Sequence, residues 1–140
     1  MPCKINRDSR YKITRRNHKL SFYNQQNEIS DKVTFLDYNN IDEHKLILMA
    51  NALGCIYTSC DEDNHQLILE TYYSQKPIIT CTDSKFINTF VKDNITGLVV
   101  PPVSKLIAEA MDKLYFHKTT AEKMGKSGLE YIRSFEYYVE

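Results

Sequence analysis

The chain has 140 residues, of which 42% are hydrophobic and 26% are charged, and its formal net charge is zero. This composition is ordinary for a folded domain with one core, and it excludes disorder over most of the chain. No apolar run approaches the roughly 18 residues of a membrane span and no signal-peptide core follows Met1, so we expect a cytoplasmic protein that spans no membrane.

The first 27 residues form a basic arm, which we separate from a domain predicted over residues 28–140. Residues 1–20 hold the basic side chains of this arm against Asp8 alone. Such an arm can bind nucleic acid or another anionic surface. A solvated, partly helical face is the favoured alternative, because the basic residues are not regularly interleaved with aromatic residues for base stacking.

From residue 32 onward, short β-branched runs alternate with segments of helical period, which is the pattern of a parallel sheet with helices on its faces. We predict strands at residues 33–36, 54–59, 77–81 and 98–100. We predict helices at residues 41–52, 65–75, 83–91 and 104–116, and a final helix capped by Thr119 or Thr120. The fold class is therefore α/β.

The cysteines and histidines do not form a metal-binding pattern. The four cysteines contain no pair of Cys-x-x-Cys elements, and the four histidines lack the short helical spacing of metal ligands. We expect buried reduced thiols, no metal site and no cofactor.

Residues 57–70 read as a strand that leads through an acidic turn into a helix. Ligands of open α/β sheets sit beyond the carboxyl ends of the strands, beside helix N-termini. Glu62 in the turn and Glu70 in the helix can both border such a crevice, where carboxylates accept hydrogen bonds from sugar or ribose hydroxyls. Acidic residues before a helix can also simply complement its dipole, and the spacing alone does not decide between the two interpretations.

An ordered series of elements over residues 28–138 resembles the C-terminal domain of group 1 (family four) glycosyltransferases. The series is Ala50-Asn51-Ala52-Leu53-Gly54-Cys55, the Glu62 to Glu70 spacing, Lys76-Pro77-Ile78-Ile79-Thr80, Thr82-Asp83-Ser84, Thr96-Gly97-Leu98-Val99-Val100-Pro101-Pro102 and Met124-Gly125. The resemblance implies a Rossmann-like three-layer sandwich with a parallel sheet, the C-terminal half of the GT-B fold without its first strands. It also implies retaining transfer from a nucleotide-diphosphate sugar, usually without a metal.

The resemblance further implies roles for individual residues. Glu62 would lie by the donor sugar as the catalytic residue, and Glu70 would hold the ribose hydroxyls. The other donor-binding residues that we predict nearby are Ser59, Asn64, His65 and Gln66. Lys85 can offer charge to a diphosphate, although a solvated lysine is the other interpretation.

Several features depart from the family pattern. The family has a glycine where this chain has His65, because the backbone there approaches the ligand closely; the histidine is either a tolerated loss or a proton donor to phosphate. Gln75 replaces a small residue, and residues 85–89 replace a Gly-Gly-Pro-x-Glu element. The arginine and lysine that neutralise the leaving diphosphate are missing upstream, as is the N-terminal acceptor-binding domain.

Three hypotheses about function follow. The chain is a transferase subunit that needs a separate chain for the acceptor domain and the missing strands, which would also cover an exposed sheet edge at residues 54–59. Alternatively it is a non-catalytic remnant, truncated and degenerate, that keeps nucleotide or sugar binding. Third, it binds nucleic acid through its basic arm, with an affinity that falls steeply with salt.

Overall fold

The computed structural model describes residues 31–34, 41–58 and 65–136. The chain divides between residues 48 and 49 into two compact units. In the first unit, the described residues are a turn at 31–32, two residues without regular secondary structure at 33–34, and the beginning of a helix from Ile41. The predicted boundary between residues 27 and 28 lies outside the described residues.

The second unit is built on a three-stranded parallel sheet of order β1-β2-β3. Its strands are β1 (Cys55–Tyr57), β2 (Ile78–Cys81) and β3 (Gly97–Val100). The helices, in chain order, are α1 (Ile41–Asn51), α2 (His65–Tyr73), α3 (Lys85–Asn88), α4 (Ser104–Phe116) and α5 (Lys118–Glu136). The predicted α/β class with a parallel sheet is confirmed.

Apolar side chains cover both faces of the sheet. Successive residues of a strand point to opposite faces, so Ile78 and Ile79 of β2 enter two different core clusters. The cluster with Ile78 is completed by residues of α1, α2, α3 and the end of α5, and the cluster with Ile79 by residues of α4 and the start of α5. All residues of β2 are buried, as the continuous apolar run predicted.

The end of α2 determines how closely α5 can pack. The chain leaves α2 through Gln75, whose backbone is left-handed with φ of 56°. The Gln75 amide donates to the carbonyl of Tyr72 at 2.9 Å, and the Lys76 amide donates to the carbonyl of Thr71 at 3.1 Å. These two bonds form a Schellman cap. Gly125 of α5 lies against the Gln75 carbonyl and Gly128 against the Tyr72 ring, so a Cβ at either glycine would overlap its neighbour.

Two predicted element boundaries are wrong for local reasons. The helix predicted over 83–91 is α3, which has only four residues. It ends early because the amides of Thr89 and Phe90 donate to carbonyls three residues back, and because the Thr89 hydroxyl donates to the Phe86 carbonyl at 2.6 Å. The final helix begins at Lys118, so Thr119 and Thr120 lie within its first turn and do not cap it.

Other predicted boundaries also differ from the structure. β1 and α2 are shorter than the predicted segments 54–59 and 65–75, and β3 begins one residue earlier than predicted, at Gly97. Of the strand predicted at 33–36, Val33 and Thr34 are not in a strand, and residues 35–36 lie outside the described part. A strand needs a paired neighbour for its backbone groups, and within the described residues β1 pairs only with β2.

We expect Gly125→Ala to lower the free energy of unfolding by about 1–3 kcal/mol, because the added methyl group meets the rigid backbone of the α2 cap. Urea unfolding measures the change. Lys126→Ala, at an exposed neighbour in the same helix, is the control and should leave stability nearly unchanged. Equal stability of the two variants would contradict the close approach of α5 to the cap.

Candidate functional site

Two helices begin just beyond the carboxyl ends of the sheet. Because β1 and β2 are parallel, their last residues, Tyr57 and Cys81, lie at the same end of the sheet. Helix α2 follows β1 and begins at His65, and α3 follows β2 and begins at Lys85. Both residues are exposed. The topology therefore brings these two predicted donor-binding residues to the end of the sheet where α/β proteins bind ligands.

A buried hydrogen-bond chain fixes α2 against β1. The Thr71 hydroxyl donates to the carbonyl of Leu67 at 2.7 Å. The Tyr57 hydroxyl is hydrogen-bonded to Thr71 Oγ1 at 2.7 Å and also reaches the Leu67 carbonyl at 3.4 Å. Burial raises the pKa of Tyr57 far above its ordinary value, and the nearby Glu70 charge adds to this effect. Tyr57 is therefore a neutral hydrogen-bond donor at any physiological pH.

Glu70 lies next to this chain and is held by its own helix. The Gln66 side-chain amide donates to Glu70 Oε1 at 3.0 Å, one turn along α2. The residue is half-buried, and its Oε2 atom is buried. The bond from Gln66 orients the Glu70 carboxylate, so two predicted donor-binding residues do meet.

A row of aromatic rings connects the starts of α2 and α3. The His65 ring lies 5.4 Å from that of Phe90, and the Phe90 ring lies 5.3 Å from that of Phe86 in an edge-on contact. Phe86 directly follows Lys85 in the chain. We call His65, Phe90 and Phe86 the aromatic row.

Two buried hydroxyls lie at or beyond the end of β2. Thr80 and Ser84 are fully buried, and neither Thr80 Oγ1 nor Ser84 Oγ makes a hydrogen bond within the described part of the chain. Thr80 is the register partner of Tyr57, so both side chains face the α2 side of the sheet. A buried polar group of this kind is one for which an ordered water or a ligand supplies the missing bond.

The predicted site residues fall into two groups. Four of them lie in the described part, on the two helices that begin at one end of the sheet: His65, Gln66 and Glu70 on α2, and Lys85 on α3. Ser59, Glu62 and Asn64 lie outside the described residues, as does the basic arm.

Sequence reasoning missed Tyr57, Thr71 and Phe90, whose contacts join separate elements. The signal for two of them was a polar or hydroxyl-bearing residue at a position of core periodicity, since Tyr57 ends an apolar strand and Thr71 lies on the buried stripe of α2. Phe90 carried no comparable signal in the local sequence.

Neither a metal cluster nor a membrane span is found over the described ranges. There, no three His, Cys, Asp or Glu side chains group as metal ligands, and no helix is long and apolar enough to cross a bilayer. Cys55 and Cys81 are buried and take part in no disulfide.

Comparison with known proteins decides the family. The family model for glycosyl transferases group 1 matches residues 14–131. The chain belongs to this family. No curated protein matches it significantly.

The fold of this group 1 glycosyltransferase chain is similar to that of a solved structure, the sucrose-phosphate synthase from Thermosynechococcus elongatus. The TM-score is 0.74 at 23% sequence identity, and the match covers 91% of this chain. The chain spans 32% of that protein's length. Together with the parallel sheet, this similarity confirms the predicted Rossmann-like architecture of a GT-B protein.

We expect alkaline pH to destabilise the domain through Tyr72. Burial, opposed by the Thr96 hydrogen bond, raises the pKa of Tyr72 from 10.0 to about 12. A folded-state pKa above the unfolded value gives stability that is complete below pH 10.0 and is lost as pH rises through about 12.

Urea unfolding at several pH values tests this expectation. Tyr72→Phe should lower the free energy of unfolding at neutral pH by about 1 kcal/mol, since hydrogen bonds are lost. Between neutral and alkaline pH, however, the free energy of unfolding of this variant should fall by less than that of the wild type. Tyr73→Phe, at a half-exposed position, is the control and should follow the wild-type curve. If the stability of Tyr72→Phe fell with alkaline pH as steeply as that of the wild type, Tyr72 would not be the cause of the alkaline destabilisation.

Proposed function

We propose that this chain binds a nucleotide-diphosphate sugar at the carboxyl end of its sheet, as the donor-binding part of a retaining glycosyltransferase. The single observation that carries the proposal is the Glu70 carboxylate, which is oriented by Gln66 one turn before it on α2. The fold and the family membership support it, because the site lies where α/β sheets bind nucleotides.

Glu70 has the chemistry to hold the ribose. A carboxylate only accepts hydrogen bonds, and Glu70 Oε1, which accepts from Gln66, has lone-pair capacity left for a ribose hydroxyl. The bond from Gln66 orients the group before a ligand arrives, so less conformational freedom is lost on binding. The hydroxyl chain from Tyr57 keeps the helix segment that bears Glu70 against the sheet.

The other predicted residues complete this proposal. Glu62 lies by the donor sugar as the catalytic residue, while Ser59, Asn64 and Gln66 contact the donor. Lys85 supplies positive charge to the diphosphate, on which negative charge develops as the glycosidic bond to the leaving group breaks. An acceptor-binding domain, which we propose a separate chain supplies, is needed for transfer; we place the assembly in the cytoplasm.

A second candidate is a binding module that holds the same ligand without transfer. Two observations favour it: residue 65 carries a full side chain, and residues 85–89 have no glycine. Both reduce the room for a close approach of backbone to ligand. Release of nucleoside diphosphate from the donor separates the two candidates, because a binding module leaves the donor intact even with the acceptor-domain chain present.

We expect saturable binding of uridine or guanosine diphosphate, or of their glucose conjugates, by calorimetry. Glu70→Gln should weaken it by about tenfold or more, since hydrogen bonds to a charged group are worth about 1.5–3 kcal/mol. Glu109→Gln on α4, where Glu109 only approaches Lys105 at 4.0 Å, is the matched control. Absence of binding by a folded protein, or equal affinity of Glu70→Gln and wild type, would refute the proposal.

A further inference from the structure

The orientation of His65 follows from its place on α2. His65, Ile68 and Tyr72 are spaced three and four residues apart, so they share one stripe of the helix. Ile68 and Tyr72 are fully buried in the core that α3 covers. His65 continues this stripe into solvent, where its ring meets Phe90.

Phe90 is held in place by backbone and ring contacts. Its carbonyl accepts a 2.9 Å hydrogen bond from the buried Tyr72 hydroxyl, and its amide donates to Ile87 at 2.9 Å. The Tyr72 hydroxyl also lies 2.9 Å from Thr96 Oγ1. The Phe90 ring further packs on Phe86. These bonds tie Phe90 to the same helix that carries His65.

An exposed side chain held in this way is prepared for binding. A free histidine side chain loses rotamer freedom when it binds a ligand, whereas the His65 ring already rests on a fixed partner. The imidazole has an N–H group that can donate to a phosphate oxygen. Along α2, His65 lies about 7.5 Å before Glu70 at 1.5 Å per residue.

A buried hydroxyl lies at the same end of the sheet, at the start of α3. Ser84, directly before Lys85, is fully buried, and its Oγ makes no hydrogen bond to any of the residues described. His65 is one end of the aromatic row, and Lys85 directly precedes Phe86 at the other end.

We propose that Phe90 is a positioning residue, which holds the His65 imidazole so that it donates a hydrogen bond to the diphosphate of the bound nucleotide. This inference rests on the proposed function. It assigns to Phe90 an effect on the phosphate part of the ligand alone, exerted through His65. A residue that only stabilises the fold would affect the nucleoside part equally.

The experiment uses whichever of uridine diphosphate and guanosine diphosphate binds more tightly, with the matching nucleoside as competitor. Calorimetry compares wild type, Phe90→Leu, Phe90→Tyr, His65→Ala and the double variant of Phe90→Leu with His65→Ala. Urea unfolding confirms that each variant is folded. Leucine keeps an apolar side chain but removes the aromatic contact, whereas tyrosine keeps the ring.

Phe90→Leu should weaken diphosphate binding by about five- to tenfold and change nucleoside binding by less than about twofold. Phe90→Tyr should restore wild-type affinity, and the double variant should match His65→Ala. Equal losses for diphosphate and nucleoside, unchanged diphosphate binding, or a Phe90→Leu effect that persists without His65 would overturn the inference while leaving the donor site intact. A wild type that binds neither ligand overturns both proposals.

Discussion

The pairing of β2 between two parallel neighbours is the constraint on which the other features depend. Its amides and carbonyls are shared with β1 and β3, and both of its faces are covered by apolar side chains. Parallel pairing directs the carboxyl ends of the strands to one end of the sheet. The helices that return the chain from β1 and β2 must therefore begin there, and their first residues, His65 and Lys85, come to that end through connectivity alone.

Periodicity was sufficient to predict the existence and type of the elements in the second unit. The buried run at 77–81 and the apolar stripe at 104–116 correspond to β2 and α4, because apolar spacing reports burial directly. Predictions failed where side chains compete for backbone groups. The Thr89 hydroxyl donates to the Phe86 carbonyl, which a longer α3 would need as an acceptor. The sequence alone does not show to which carbonyl a threonine hydroxyl donates.

The candidate site was predictable to a similar extent. Glu70 and Gln66 lie one turn apart, so their contact is a property of the local helix and could be anticipated from spacing. The bond between Tyr57 and Thr71 and the ring contact between His65 and Phe90 join different elements. Such contacts depend on how α2 is placed against β1 and α3, which no local pattern specifies.

Helix α5 contributes to both cores, with Ala121 and Met124 on one face of the sheet and Ile132 on the other. Its two halves are one continuous rod of 19 residues. If either core unfolded, half of α5 would lose its packing partners, and a helical segment as short as that half is only marginally stable in water by itself. The two helical layers that cover the sheet should therefore unfold together. Amide hydrogens in α2 and in α4 should then exchange with solvent through the same global unfolding event.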